Sequence, residues 1–286
     1  MAQSEDNWDI EITPKHNLLD LRLKDTWHYR DLLLLLVRRD FVSFYKQTIL
    51  GPVWFFIQPI ITIVIYTVVF GTLAGIPVDG LPKPLFYLAG TIIWNYFAEC
   101  LTKTSTVFKD NSAMLGKVYF PRLIMPLSIV MSNLIRFAVQ FILFLILMIV
   151  YGAQGQPLAP NLILLLFPLL IVIIAALGLG LGMLISAVTT KYRDLAFVVT
   201  FGVPLLMYTT TVIYPLSVVL TKYPKYSWLI KFNPITAVIE TFRYGFLGRG
   251  SFSWELLGYS AMVTCIILLL GIIVFNKVEK NFVDTV

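Results

Sequence analysis

Charge is scarce in this sequence. Of its 286 residues only 13% are Asp, Glu, Lys or Arg, against about 25% in soluble domains, while 58% are hydrophobic. The deficit is concentrated in long uninterrupted stretches, which excludes a soluble globular protein and describes an integral membrane protein. Histidine is rarer still: His16 and His28 are the whole supply, both in a polar leader. With no HExxH or nucleophile motif and with carboxylates scattered through loops, catalysis by this chain finds no support. The two cysteines, Cys100 and Cys265, each sit in an apolar stretch without CxxC or metal-ligand spacing, so reduced thiols and no metal site are expected. A GxxxxGK phosphate loop is also missing, so the chain cannot bind ATP by that means. The net charge of +6 would suggest nucleic acid in a soluble protein. Here the basic residues flank apolar spans, where they orient the chain and meet anionic lipid, and no nucleic-acid partner is expected.

What is present in quantity is apolar helix-length sequence. Six stretches, 53–75, 85–107, 124–151, 161–188, 195–219 and 256–275, run close to or beyond the roughly 20 residues a spanning helix needs. An even count puts both termini on one side. With the N-terminus inside, fifteen Lys and Arg residues fall on inner segments and six on outer ones, so the positive-inside rule predicts N-in and C-in. The last outer loop, 220–255, resists by carrying five of those six. The first 31 residues are polar, unlike a cleaved signal peptide, and are expected to stay with the chain. No internal repeat relates the two sets of three spans, which weighs against many secondary transporters.

Three connecting segments carry patterns of their own. The run Leu32–Val37 stops at Arg38 and Arg39, too short to cross a bilayer. On a helix, Leu33, Leu34, Val37, Phe41, Phe44, Tyr45 and Thr48 share one arc, while Arg39, Asp40, Ser43, Lys46 and Gln47 share the other. Leu35 and Leu36 spoil the pattern. This predicts an amphipathic interfacial helix turning into the first span at Gly51 and Pro52, either a moving part or a plain anchor. The second segment, FKDNSAMLGKVYFPRLIMP, reads as a short helix before a proline-fixed re-entry or as an ordinary turn. The third, KFNPITAVIETFRYGFLGRG, reads as a helix with Asn233 as N-cap, Pro234 in the first turn and Gly248 at the stop. Its Glu240 and Arg243 are spaced to pair, and a re-entrant or interfacial hairpin on the outer face is predicted.

Inside the spans, Arg136 is the one deeply placed arginine. A charge in lipid costs about 2.5–3.5 kcal/mol, so it must face protein, water or a partner such as Glu99, as an inter-helix ion pair or as a substrate contact. Trp54, Phe55, Trp94, Tyr96, Phe97, Tyr208 and Tyr214, with Phe56 and Arg136, are candidates for lining a channel, and the family resemblance below implies a sugar cargo, whose pyranose rings pack on aromatic faces. The aromatic belt at the membrane surface is the other account. Gly178, Gly180 and Gly182 lie within an apolar helix, where close helix packing fits better than a nucleotide fingerprint. Gly202, Pro204 and Thr209–Thr211 predict a kink whose hydroxyls re-satisfy freed backbone groups, or a polar channel face.

Taken together, YKQTILGPVWFFIQP leading into span one, LGKVYFPR before span three, KYRDL between spans four and five, and FNPITAVIETFRYGFL before span six resemble the membrane subunits of ABC-2 type polysaccharide exporters. The resemblance covers essentially the whole chain. It implies an all-α integral membrane fold with 1–52 as cytoplasmic leader and gate helix and 53–286 as transmembrane domain. The implied complex is a homodimer with two copies of a cytoplasmic ABC ATPase, which holds ATP and Mg, in a bacterial inner membrane. Asn111, Ser112, Met114, Leu115, Gly116, Lys117 and Val118 would form the ATPase-coupling loop. Arg38, Arg39, Phe41, Phe44, Tyr45 and Lys46 would form the gate helix, beside the lipid-linked end of an undecaprenyl-diphosphate-linked polysaccharide. Asn233, Pro234, Glu240 and Arg243 would mark a hairpin capping the outer exit. The long polar leader favours O-antigen as cargo over capsule or teichoic acid. An exporter of a drug or small lipid would share this topology, and a flippase or membrane enzyme would need no ATPase.

Overall fold

Proline, glycine and asparagine set the helix ends of the chain. A computed structural model describes residues 27–46, 48–115, 120–192 and 194–283, and their regular elements are helical. Helix α1 covers Arg30–Tyr45. Gly51 at φ +52 and Pro52 open a 3₁₀ turn that feeds α2, Trp54–Tyr66, which continues as π-helical winding over Thr67–Leu73. There follow α3 (Lys83–Ser105), two single-turn helices α4 (Val107–Asp110) and α5 (Ser112–Leu115), and α6 (Ile124–Ala153). A 3₁₀ segment at Leu162–Leu166 leads into α7 (Phe167–Lys191), and α8 (Leu195–Leu206) ends in a 3₁₀ turn at Met207–Thr209. The chain closes with α9 (Leu216–Lys222), α10 (Ser227–Lys231), α11 (Pro234–Leu247) and α12 (Trp254–Val283).

Four helical stretches among the described residues are long and apolar enough to cross a membrane: Gly51–Leu73, Ile124–Ala153, Leu162–Lys191 and Trp254–Val278. The other two expected spans differ from that pattern, each for its own reason. Helix α3 has the length, about 34 Å at 1.5 Å per residue, but carries Asn95, Glu99 and Lys103. It tolerates them because it is the core of the bundle, with 16 of its 23 residues buried by protein. The stretch 195–219 is not one helix. Pro204 withholds a backbone donor, Thr210 turns to extended backbone at φ −119, ψ 166, and helix resumes only at Leu216.

Small residues bring the long helices together. A Cβ on Gly178 or Gly182 of α7 would meet Phe97 O or Leu101 O of α3 at 3.0 Å, and one on Gly180 would meet Leu268 Cα of α12 at 2.8 Å. The glycine run therefore serves two interfaces, 178 and 182 toward α3 and 180 toward α12, the close helix approach expected of it. On another side Phe141 stacks on Phe167 with centroids 4.4 Å apart, and Phe242 and Phe246 of α11 complete the aromatic cluster joining α6, α7 and α11. Helix α11 is consequently an interior element, buried along nearly its whole length. Its ends follow the sequence: Asn233 Oδ1 accepts from Ile235 N at 3.0 Å, and Gly248 stops the helix in the left-handed region at φ +68.

Candidate functional site

Helix α1 docks through four residues at helical spacing. Tyr29, Leu32, Leu33 and Leu36 face a small core formed with Val107 and Phe108 of α4, Ile124 and Met125 of α6, Leu179 and Met183 of α7, and Phe275 of α12. This corrects the sequence pattern. Leu36, one of two residues that seemed to spoil the amphipathic arc, is the docking residue at 1% exposure, whereas Leu34 and Leu35 are 61% and 62% exposed. The helix has two apolar sides, and a division by polarity alone merges them. Phe41 belongs to the corner into the first span, stacking on Phe55 at 5.9 Å.

A polar seam continues from that docked face. Asp40 accepts from Arg39 Nε and Nη2 at 3.0 and 2.8 Å and from Ser132 Oγ of α6 at 3.5 Å. One turn further along α6, Arg136 Nη1 donates to Glu99 Oε2 of α3 at 3.3 Å, forming the ion pair anticipated for this arginine. Glu99 also meets Lys103 Nζ at 3.1 Å, and the Arg136 guanidinium lies 5.9 Å from the Phe55 ring. Asn95 Nδ2 and Gln140 Oε1 extend the α3–α6 contact at 3.5 Å. Charges that would be costly in hydrocarbon thus compensate one another along one line linking α1, α3 and α6. Arg38 on α1 and Lys46 just after it are exposed, and the side chains of Phe44 and Tyr45 are outside the described residues.

The adjoining loop is short and internally hydrogen-bonded. Thr106 Oγ1 pairs with Asp110 Oδ2 at 2.6 Å, Asn111 Nδ2 donates to Val107 O at 3.0 Å, and Ser112 Oγ donates to Lys109 O at 3.1 Å. Phe108 stacks on Phe275 of α12 at 4.6 Å, and Met114 packs on the same core as Leu36. Lys109, Asp110 and Ser112 remain exposed. Of the other positions expected to form the coupling loop, the Leu115 side chain and all of Gly116, Lys117 and Val118 lie outside the described residues. One core therefore holds the leading helix, this loop and the C-terminal helix, so displacement of one side reaches the others through packed atoms. Leu36→Ala should cost about 2–4 kcal/mol and raise protease cleavage of the α1 segment, while Leu35→Ala leaves both unchanged; limited proteolysis with mass mapping measures this.

The aromatic channel candidates do not gather on one surface of the chain. Trp54 and Tyr208 are exposed. Phe55, Trp94, Tyr96 and Phe97 are packed inside, Tyr96 donating to Val130 O at 3.4 Å and leaning on Phe137 at 5.3 Å. Their burial follows from the enclosure of α3. Tyr214 is partly buried and donates to Tyr208 O at 2.5 Å.

The break after α8 is a second polar constellation. Asn233 Nδ2 donates to Thr209 O at 3.1 Å, and the hydroxyls of Thr209 and Thr210 bond back to Leu206 O and Met207 O, as expected of a kink. Arg243 pairs with Glu240 as its spacing suggested; what sequence reasoning missed is its reach to distant backbone. Fully buried, it donates from Nη1 to Thr211 O at 2.6 Å and from Nη2 to Val212 O at 3.0 Å and Phe86 O at 3.3 Å. Its guanidinium lies over the Phe86 ring at 3.7 Å and pairs with Glu240 at 3.3 Å, whose other oxygen accepts from Ser251 N at 3.1 Å. Burial lowers the Arg243 pKa to about 10, with the Glu240 carboxylate opposing the shift, so the group stays charged at neutral pH.

The docked leading helix, the loop on the same core and the broken 195–222 segment all lie within one family match. The family model described as "ABC-2 type transporter" matches residues 31–247. The chain belongs to the ABC-2 type transporter membrane family. That match begins at α1 and ends with α11. Similar curated proteins are the "O-antigen export system permease protein RfbA" of Myxococcus xanthus, 26% identical over 92% of this chain and 98% of the relative, and one of the same name from Klebsiella pneumoniae, 26% identical over 93% and 99%. A second Klebsiella pneumoniae protein of that name is 26% identical over 89% of this ABC-2 chain and 94% of its own length.

Proposed function

We propose that this ABC-2 family member is the permease subunit of an ATP-driven exporter that carries a lipid-linked polysaccharide, O-antigen, across a bacterial inner membrane. The observation that carries this reading is the near end-to-end alignment with O-antigen export permeases. In it, α3 and the broken 195–222 segment supply two crossings beside the four apolar helices, both termini are cytoplasmic, and two copies form the conducting path. ATP is hydrolysed on a separate ABC subunit seated on residues 111–118. Closure of that subunit pushes on α4 and α5, and the shared core passes the displacement to α1 through Phe108, Met114 and Leu36. Helix α1 then opens as a gate for the lipid-linked end of the glycan. The segment from α9 to α11 closes the outer end of the path.

Depletion of the protein in its host tests the reading. Long undecaprenyl-linked polymer should build up on the cytoplasmic face while surface glycan falls by more than tenfold, and sugar analysis of the retained polymer identifies the cargo. Capsule or teichoic acid composition would reassign the polymer. Unchanged surface glycan without internal build-up, in a strain lacking a second exporter, would move the substrate to a drug or small lipid.

A further inference from the structure

A groove of about 390 Å³ opens between residues 74–77 and the segment 214–230. That size lies within the range of about 300–1,000 Å³ typical of small-molecule sites. One wall is the turn directly following the Gly51–Leu73 span, which sets the groove where that apolar helix ends, at the boundary of the membrane. The opposite wall comes from α9 and α10. Ile230 and neighbouring valines make most of the lining apolar, and Tyr214, Tyr223 and Tyr226 also line it. Lys222 is the charged lining residue.

Lysine outnumbers carboxylate around the groove. Residues 214–231 contain Lys222, Lys225 and Lys231, all exposed, and no carboxylate. The nearby Asp79 is engaged by Ser217 Oγ, which donates to Oδ1 at 2.8 Å. Lys225 lies 5.9 Å from the centre of the Tyr226 ring. A soluble anion would want a polar cradle, and these walls are mainly apolar. An amphiphile with an anionic head satisfies both: its chain or glycerol lies along Ile230 and the 74–77 turn, and its phosphate meets Lys222 with the tyrosines at head-group level. We propose that this groove is a binding site for an anionic phospholipid, with Lys222 as the phosphate contact. It rests on the groove and the end of the first span, and does not depend on the cargo.

The test uses the full-length chain, purified with whatever subunits accompany it, in phosphatidylcholine nanodiscs containing a photoreactive phosphatidylglycerol or an equal fraction of photoreactive phosphatidylcholine. Mass spectrometry should find peptides of 214–231 labelled about fivefold more by the anionic probe, and Lys222→Gln should remove that preference without moving the melting temperature. Ile230→Trp, which fills the groove and leaves the charge, should reduce labelling by both probes. Equal labelling by the two lipids, or a preference that survives Lys222→Gln, would overturn the site as ordinary boundary lipid. Displacement of the anionic probe by millimolar inorganic phosphate would also overturn the lipid assignment, making soluble phosphate the ligand.

Discussion

Arg243→Ala destabilises the folded chain by about 3–5 kcal/mol, the range for removing one partner of a buried ion pair, and yields mainly aggregated protein on fluorescence-detected size exclusion. The loss has two sources. Glu240 is left as a buried carboxylate whose remaining contact is Ser251 N, and the carbonyls of Phe86, Thr211 and Val212 lose their donor. Arg243→Lys keeps the charge but lacks the planar fork that reaches several carbonyls at once, so it should fall between wild type and alanine. Glu240→Gln combined with Arg243→Ala removes the orphaned charge but not the orphaned carbonyls. It should recover only part of the loss. Full recovery by the double variant would show that the ion pair, rather than the capping of the broken segment, is what matters.

Gly180→Val and Gly182→Val each cost about 1–3 kcal/mol or more, through forced separation of packed helices. The two act at different interfaces. A side chain at 180 meets the backbone of α12, where Gly271 is likewise packed against Gly180, and one at 182 meets Thr104 and Leu101 of α3. Gly202→Ala has open space in place of a neighbour and should be neutral or mildly stabilising. Thermal unfolding of the three purified variants distinguishes the cases, and cysteine cross-linking between α7 and each neighbour reports which pair has parted. A Gly202→Ala loss equal to the others would remove the packing explanation.

Features set by neighbours in sequence were legible without coordinates. Asn233, Pro234 and Gly248 bracket α11 because capping depends on residues one to three apart, and Glu240 can reach Arg243 one turn away. Glycine spacing on α7 announced close packing, though not that alternate glycines serve different partners. The pairing of Arg136 with Glu99 followed from the cost of a lone charge. Elsewhere the deciding atoms are distant in the chain. Leu36 appeared misplaced because the core that receives it is assembled from residues 107–108, 120–125, 179–183 and 275. Hydropathy did not say that helix α3 is surrounded by protein along most of its length. The break after Thr209 survives because a side chain more than thirty residues later bonds its carbonyls. Hydrophobic periodicity carries no record of that bond.

The same bond constrains biogenesis. As the chain emerges, 195–213 is made before residue 243 exists, and the carbonyls of Thr211 and Val212 have no arginine to receive. Open backbone is not tolerated against lipid, so this segment must wait at the interface, in water, or beside the insertion machinery. Its packing is completed only when α11 brings Arg243, within reach of Glu240, to those carbonyls. The fifth stretch is therefore set in place after the sequence that follows it, and synthesis halted between residues 213 and 243 would leave it without its seat.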